Sequence, residues 1–159
     1  MPVLAFVAAA LVGATPCYLP PVDAPVVDPF REPACEYCPG NRGIEYGPDD
    51  GERVVAAATG TVTFAGIVAG TRYVVVEHPD GSRMTYGKLA TLGVSMGDRV
   101  LQGQRIGTTT TEFFLGVRRG DEHLDPAPLL GTLRHRTRLI PTDGTRPRPA
   151  GPPRLECSA

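Results

Sequence analysis

The chain has 159 residues, enough for one domain with its own core. A formal net charge of −1, from 16 Lys and Arg against 17 Asp and Glu, removes any global electrostatic argument for a nucleic-acid partner. Only 6% of residues are aromatic and none is Trp, while 19 Gly and 17 Pro punctuate Val-rich segments, a texture of short strands joined by tight turns.

Residues 1–14 read as a secretory signal peptide. The apolar run 3–12 is too short to span a bilayer but suits an h-region, and Val12 and Ala14 stand at the small-residue positions before cleavage. No Lys or Arg precedes the run, so a buried amino-terminal strand or helix is the competing reading. Pro16 directly before Cys17 fits a lipoprotein processing site poorly. Residues 15–39 form a Pro-punctuated extended lead-in without helical period, ending in a loop that carries a CxxC.

Four cysteines, Cys17, Cys35, Cys38 and Cys157, allow three full pairings. In an exported chain the simplest arrangement joins Cys35 to Cys38 in a tight loop and Cys17 to Cys157 across the chain ends. The alternative is a thiolate metal site, for which one CxxC without a second close pair is weak support.

The folded core is expected over residues 40–130. Residues 53–58 and 61–65 read as strands around a Gly turn, and 72–78 (RYVVVEH) as a central strand. Pro79, Asp80, Gly81 and Ser82 then make a turn, because Pro fixes φ and Gly supplies positive φ. The alternating stretch 83–89 pairs back as a hairpin. Residues 97–107 are two short strands around Gly103, 112–118 is the last strand, and 123–130 is a loop leading into one helical turn. No segment carries a long amphipathic helix, so the expected class is all-β. After Gly131 the chain turns basic and Pro-rich, with Arg134, Arg136, Arg138, Arg146, Arg148 and Arg154 against Asp143 and Glu156. Residues 131–159 therefore read as a mobile tail, solvated or drawn to an anionic envelope surface.

One stretch carries more than architecture. The block N-R-G-I-E at 41–45 is followed by GxxVxAxxxGxV from Gly51 to Val62, a VVVEHPDG hairpin, and Y-G-K-L at 86–89. G-D-x-V-x-x-G-Q-x-I-G at 97–107 and R-R-G-D-x-x-L-D-P at 118–126 complete the series. In order and spacing it resembles the lysostaphin-like (LytM-type) peptidoglycan zinc metallopeptidases. The resemblance implies a compact antiparallel β-sheet sandwich of the duplicated-hybrid-motif type, with little helix.

The family pattern has H-x-G-x-D where this chain has Asn41 and Glu45, Y-x-H-L where it has Lys88, and H-x-H where it has Glu112 and Phe114. The metal ligands thus correspond to Asn41, Glu45 and Phe114, and two further active-site histidines to Lys88 and Glu112. A catalytic zinc needs about three N, O or S donors and an open fourth position. Phe114 has no lone pair, an Asn oxygen suits harder cations, and an ammonium opposes a divalent ion. Lys88, Glu45 and Glu112 would instead form an ion-pair cluster. His78, His123 and His135 have no ligand-like partner three or four residues away and read as surface histidines.

The resemblance therefore implies an exported, catalytically inactive member that needs no cofactor. Its groove, floored by Arg42, Glu45, Tyr86, Lys88, Glu112 and Phe114, would bind peptidoglycan or a cell-wall hydrolase. The alternative is an active zinc metalloendopeptidase cleaving peptidoglycan cross-bridges with an unconventional site of Asn41, Glu45 and a displaced His. A biotinyl- or lipoyl-like carrier would need an exposed Lys at a hairpin tip, and the 77–83 turn has none.

Overall fold

A computed structural model describes residues 17–35, 37–134, 142–146, 149 and 151–157. The expected signal peptide and His135 lie outside the described residues. The strands are β1 (Val26–Asp28), β2 (Ile44–Tyr46), β3 (Arg53–Val55), β4 (Gly60–Val68), β5 (Thr71–Glu77), β6 (Ser82–Leu92), β7 (Arg99–Val100), β8 (Arg105–Arg119) and β9 (Glu122–Leu124). A 3₁₀ turn at Ala127–Leu129 follows, then β10 (Thr132–Arg134) and β11 (Arg154–Glu156). The fold is all-β and antiparallel. Its main sheet runs β1-β2-β8-β6-β5-β4-β7, with β3 and β9 also on β8, and β10 with β11 makes a second, two-stranded sheet.

Strand alternation sorts the side chains. Ladder pairing places Ala65, Val74, Tyr86, Leu115 and Ile44 in one row across five strands. All but Ala65 are fully or almost fully buried, and Ala65 packs against them. One step along, the row Gly66, Tyr73, Gly87, Phe114 and Glu45 faces the other way. The core face closes over Val54, Ile106, Val62, Val76, Met84, Phe113 and Val117. Burial pushes the Tyr46 phenol, tilted against Phe113, up to about 12.

Three of the differences from the sequence reading lie in β3, β8 and β4. The strand expected over 53–58 stops at Val55, because Ala56 is held by Gln104 O and Gly103 N–H while Ala57 O accepts from Leu19. Residues 108–111, between two expected strands, are themselves strand and join the two into the 15-residue β8. The β-branched Thr108–Thr111 run suits that conformation, and Thr109 exchanges backbone bonds with Gly51 and Glu52. The strand expected to end at Ala65 continues to Val68 and turns at Ala69 and Gly70, both at positive φ (48° and 82°), as a two-residue hairpin requires.

The carboxy-terminal stretch is anchored at both ends rather than mobile there. β11 pairs with β10 through Thr132↔Glu156, Leu133↔Leu155 and Arg134↔Arg154, and a disulfide joins Cys17 to Cys157. Cys35 pairs with Cys38. Tyr18, beside the first disulfide, exchanges backbone bonds with Leu129 and Gly131. Its buried hydroxyl meets Ser82 Oγ at 2.8 Å and donates to Asp80 at 2.9 Å.

In the chain-entropy picture, a disulfide spanning 140 residues stabilises by about 5 kcal/mol and a four-residue loop by about 2 kcal/mol. Replacing Cys17 and Cys157 with Ser should therefore lower Tm more than replacing Cys35 and Cys38. Thermal unfolding followed by circular dichroism compares the two double variants, and equal losses would refute the larger contribution of the Cys17–Cys157 bridge.

Candidate functional site

The outer face of the sheet carries the positions singled out by the sequence. Glu45 on β2 stands opposite Phe114 on β8, which stands opposite Gly87 on β6. The Phe114 ring packs over the backbone of neighbouring glycines. A Cβ on Gly43 would fall 2.6 Å from that ring, and one on Gly87 would fall 2.6 Å from the Tyr73 ring and 3.3 Å from Phe114. The rings thus fill space that only glycine leaves open, a common use of Gly inside strands. Phe114, Tyr73 and Phe64 are each half-buried and form an aromatic floor.

Lys88 reaches this floor through a backbone irregularity. The β6–β8 register shifts between Gly87 and Leu89, and Lys88 sits in the bulge at φ 61°, a left-handed conformation rare for a residue with a side chain. Thr110 Oγ1 donates to its carbonyl at 3.2 Å. The ammonium donates to Glu45 Oε2 at 3.1 Å and to Glu112 Oε2 at 2.9 Å. The structure therefore brings Lys88, Glu45 and Glu112 together as one cluster. Donating hydrogen bonds to the Glu112 carboxylate, and then to Glu45, raises the Lys88 pKa, and the same contact holds the Glu112 carboxyl below its ordinary range. Glu112 is two-thirds exposed, so that arm of the cluster is weak by itself.

Asn41 faces inward. Its Nδ2 donates to Asp28 O and Pro29 O, and its Oδ1 accepts from Gly43 N–H. Paired backbone bonds with Arg31, and the Arg31–Asp28 ion pair, close the same loop. Its amide thus pins the strand entrance.

Two sequence assignments are corrected here. Tyr86 is fully buried on the core face, one residue out of phase with the groove, and its oxygen accepts from Ala57 N–H at 2.9 Å. Burial raises its phenol pKa. The groove position expected of it belongs to Tyr73, which was hidden inside RYVVVEH because the whole run reads as apolar. The facing glycines, Gly66 and Gly87, were the available signal. His78 is also buried, not on the surface, packed against Tyr18 with Nδ1 3.0 Å from Thr59 O. His123 is half-buried on β9; burial, with Arg118 and Arg42 nearby, lowers its pKa.

Zinc does not fit these residues. Of the three family ligand positions, Asn41 has its amide committed to backbone, Phe114 offers a ring, and Glu45 is already paired with an ammonium. Among the described residues no group of three or more His, Cys, Asp or Glu is arranged to hold a metal ion.

An antiparallel sheet with a bulged floor and this order of motifs defines a peptidase-type β scaffold, here with an ammonium among its site positions. Residues 39–125 match Peptidase family M23, and the chain belongs to that family. It is 39% identical over 61 residues to the uncharacterized protein Rv2891 of Mycobacterium tuberculosis (strain ATCC 25618 / H37Rv), a match covering 38% of this chain and 24% of that protein. The chain thus spans about a quarter of the length of that mycobacterial relative. Among solved structures, Helicobacter pylori Csd3 superposes with a TM-score of 0.65 at 23% identity, over 74% of this chain and 35% of that one. The SpoIIQ-SpoIIIAH pore-forming complex gives 0.64 at 22%, over 74% and 92%. The catalytic domain of the antimicrobial peptidase lysostaphin from Staphylococcus simulans gives 0.58 at 20%, over 66% and 90%. At these identities the three structures bear on the fold.

The pH response of the cluster follows from its two shifts. The lowered Glu112 pKa contributes stability above the ordinary carboxylate value of 4.5, lost as pH falls through the folded value. The raised Lys88 pKa contributes stability below the ordinary lysine value of 10.5, lost as pH rises through the folded value. The stability difference between the native chain and Glu112→Gln should be largest near neutrality and close in acid. Urea unfolding at several pH values measures it, and a difference independent of pH would contradict the contact.

Proposed function

We propose that this chain is a non-catalytic M23-family domain of the bacterial cell envelope that binds peptidoglycan, or a wall hydrolase acting on it, through the outer sheet face. The observation that carries this reading is the Lys88 ammonium held between Glu45 and Glu112 at positions where the family pattern places catalytic groups. A protein cation there neutralises the carboxylate that would otherwise attract a metal, and it cannot serve as a neutral-pH imidazole base. What survives is a shaped surface. Phe114, Tyr73 and Phe64 offer flat apolar faces, and Lys88, Glu45 and Glu112 offer hydrogen bonds beside them, a combination suited to a ligand with both sugar rings and amides.

Against an active metallopeptidase built from Asn41, Glu45 and a displaced His stands the position of each group. The Asn41 amide is turned into its own loop, and His78 packs on Tyr18. Export fits the two disulfides, which persist in oxidising compartments. No helix among the described residues is long and apolar enough to cross a membrane. The exposed Arg134, Arg146 and Arg154 give the carboxy-terminal stretch a basic character suited to an anionic envelope surface.

The test is co-sedimentation with purified sacculi, with and without a chelator. Binding should be insensitive to the chelator, weakened by Phe114→Ala and Tyr73→Ala, and accompanied by no release of soluble fragments when zinc is supplied. Stoichiometric zinc that survives alkylation of the reduced cysteines, together with cleavage of the sacculi, would overturn the reading.

A further inference from the structure

β4 ends the main sheet over most of its length. β7 pairs only with Gly60 and Thr61, and Val62 is closed by Gly97 N–H and Asp98 O. From residue 63 to 68 the outer edge of β4 has no strand partner among the described residues. Such an edge presents a row of backbone donors and acceptors, and proteins usually guard it with charges, Pro or a bulge. This strand, GTVTFAGIV, has no charged residue and no Pro, and its one bulge lies before Phe64. Its last two residues are exposed and apolar, Ile67 at 61% and Val68 at 54%.

We propose that this edge is a self-association surface, on which a second copy of this chain pairs antiparallel across residues 64–68 with Gly66 opposite Gly66 on the two-fold axis. The symmetry argument selects that register. A two-fold axis normal to the sheet keeps each face on its own side, so residues paired across it must share parity. Centring on Gly66 sets Phe64 against Val68 of the second copy on the outer face, and Ala65 against Ile67 of the second copy on the other. Every such pair is apolar. Centring on Ala65 would set Thr63 against Ile67 and Phe64 against glycine, leaving the exposed apolar residues poorly matched. Gly66 itself brings no side chain to the axis, and the Phe64 ring leans over it, with carbons 3.1–3.6 Å from where a Cβ would sit. A net charge of −1 offers almost no repulsion between copies.

This pairing would deepen the function proposed above. The joined sheet keeps both aromatic floors, each with its Lys88 cluster, on the same side and related by the axis. Two weak sites facing one way would engage a repeating polymer with an avidity that neither has alone. Its use rests on the wall-binding reading, and its existence does not.

Sedimentation equilibrium of the full chain with its disulfides intact, from micromolar to millimolar, tests it. A reversible monomer–dimer equilibrium is expected. Ile67→Lys with Val68→Lys should weaken the dimer by roughly tenfold or more while leaving the fold of the monomer intact, because both residues are exposed and each new charge would replace the apolar partner of Ala65 or Phe64 of the second copy. Val26→Lys with Val27→Lys, at the exposed β1 edge, should leave it unchanged. Hydrogen exchange should show the 64–68 amides slowing as concentration rises, a readout that needs no variant. A monomer at every concentration, a dimer indifferent to the Ile67 and Val68 changes, or association only with a different protein would each overturn the proposal. A dimer that ignores sacculi would sink the wall-binding reading alone, and a monomer that binds sacculi would sink this one alone.

Discussion

The pairing of β6 with β8 is the constraint on which the rest of the molecule depends. It is the longest ladder in the structure, running from Ser82↔Arg119 to Leu92↔Gly107, and it fixes the parity of every strand laid beside it. On β8 that parity sends Phe113, Leu115 and Val117 into the core and Phe114 and Gly116 to the other side. A slip of one residue would bury Phe114 against the core and turn Phe113 and Leu115 to solvent, so the hydrophobic load locks the register. The two shifts in the ladder, around Lys88 and again before Thr91, are therefore tolerated where the outer face needs them. The first turns Lys88 toward Glu45 and Glu112; a regular strand would have alternated it with Gly87 onto the core face.

Much of this was legible in the amino-acid sequence because strand and turn chemistry are local. The 79–82 turn, the Gly103 turn and the central strand, expected at 72–78 and found at Thr71–Glu77, follow from Pro, Gly and β-branched residues alone. The motif order carried the family, and with it the juxtaposition of Lys88, Glu45 and Glu112, although these residues are up to 67 positions apart in sequence. What escaped was set by contacts made far along the chain. Tyr86 was placed on the groove because its neighbour Lys88 belongs there, and a bulge between them breaks the alternation that would have assigned both to one face. Residues 131–159 read as a tail because their composition is basic and Pro-rich. Three residues at 154–156 find β10, and Cys157 finds Cys17, only because the Tyr18 segment has first been laid between Leu129 and Gly131. Short pairings of this kind leave almost no trace in a window of sequence.

The site changes form a coherent set in both charge and volume. Glu45 at 30% exposure is partly withdrawn from water and needs a counter-charge, which in the family pattern a divalent metal supplies. Lys88 supplies it here from a four-carbon stem, and Glu112 shares the same ammonium from the other side. The aromatic ring of Phe114 occupies the surface over Gly43, Gly87 and Gly116, where an imidazole would have left room beside a metal ion.

By this account no single reversal would restore a metal site. Exchanging Phe114 for His would set an imidazole beside an ammonium already bound to both carboxylates, and an incoming divalent cation would have to displace that charge at close range in a partly desolvated place. Exchanging Lys88 alone would free Glu45 and Glu112 but leave the Asn41 amide engaged with Asp28, Pro29 and Gly43. A metal centre needs these groups to change together, and the arrangement present is self-consistent without one. The outer face is thus best understood as a closed electrostatic unit set into an aromatic surface. That unit sets a fixed ammonium, two carboxylates, and rings packed over the glycines beneath them on one face of the sheet.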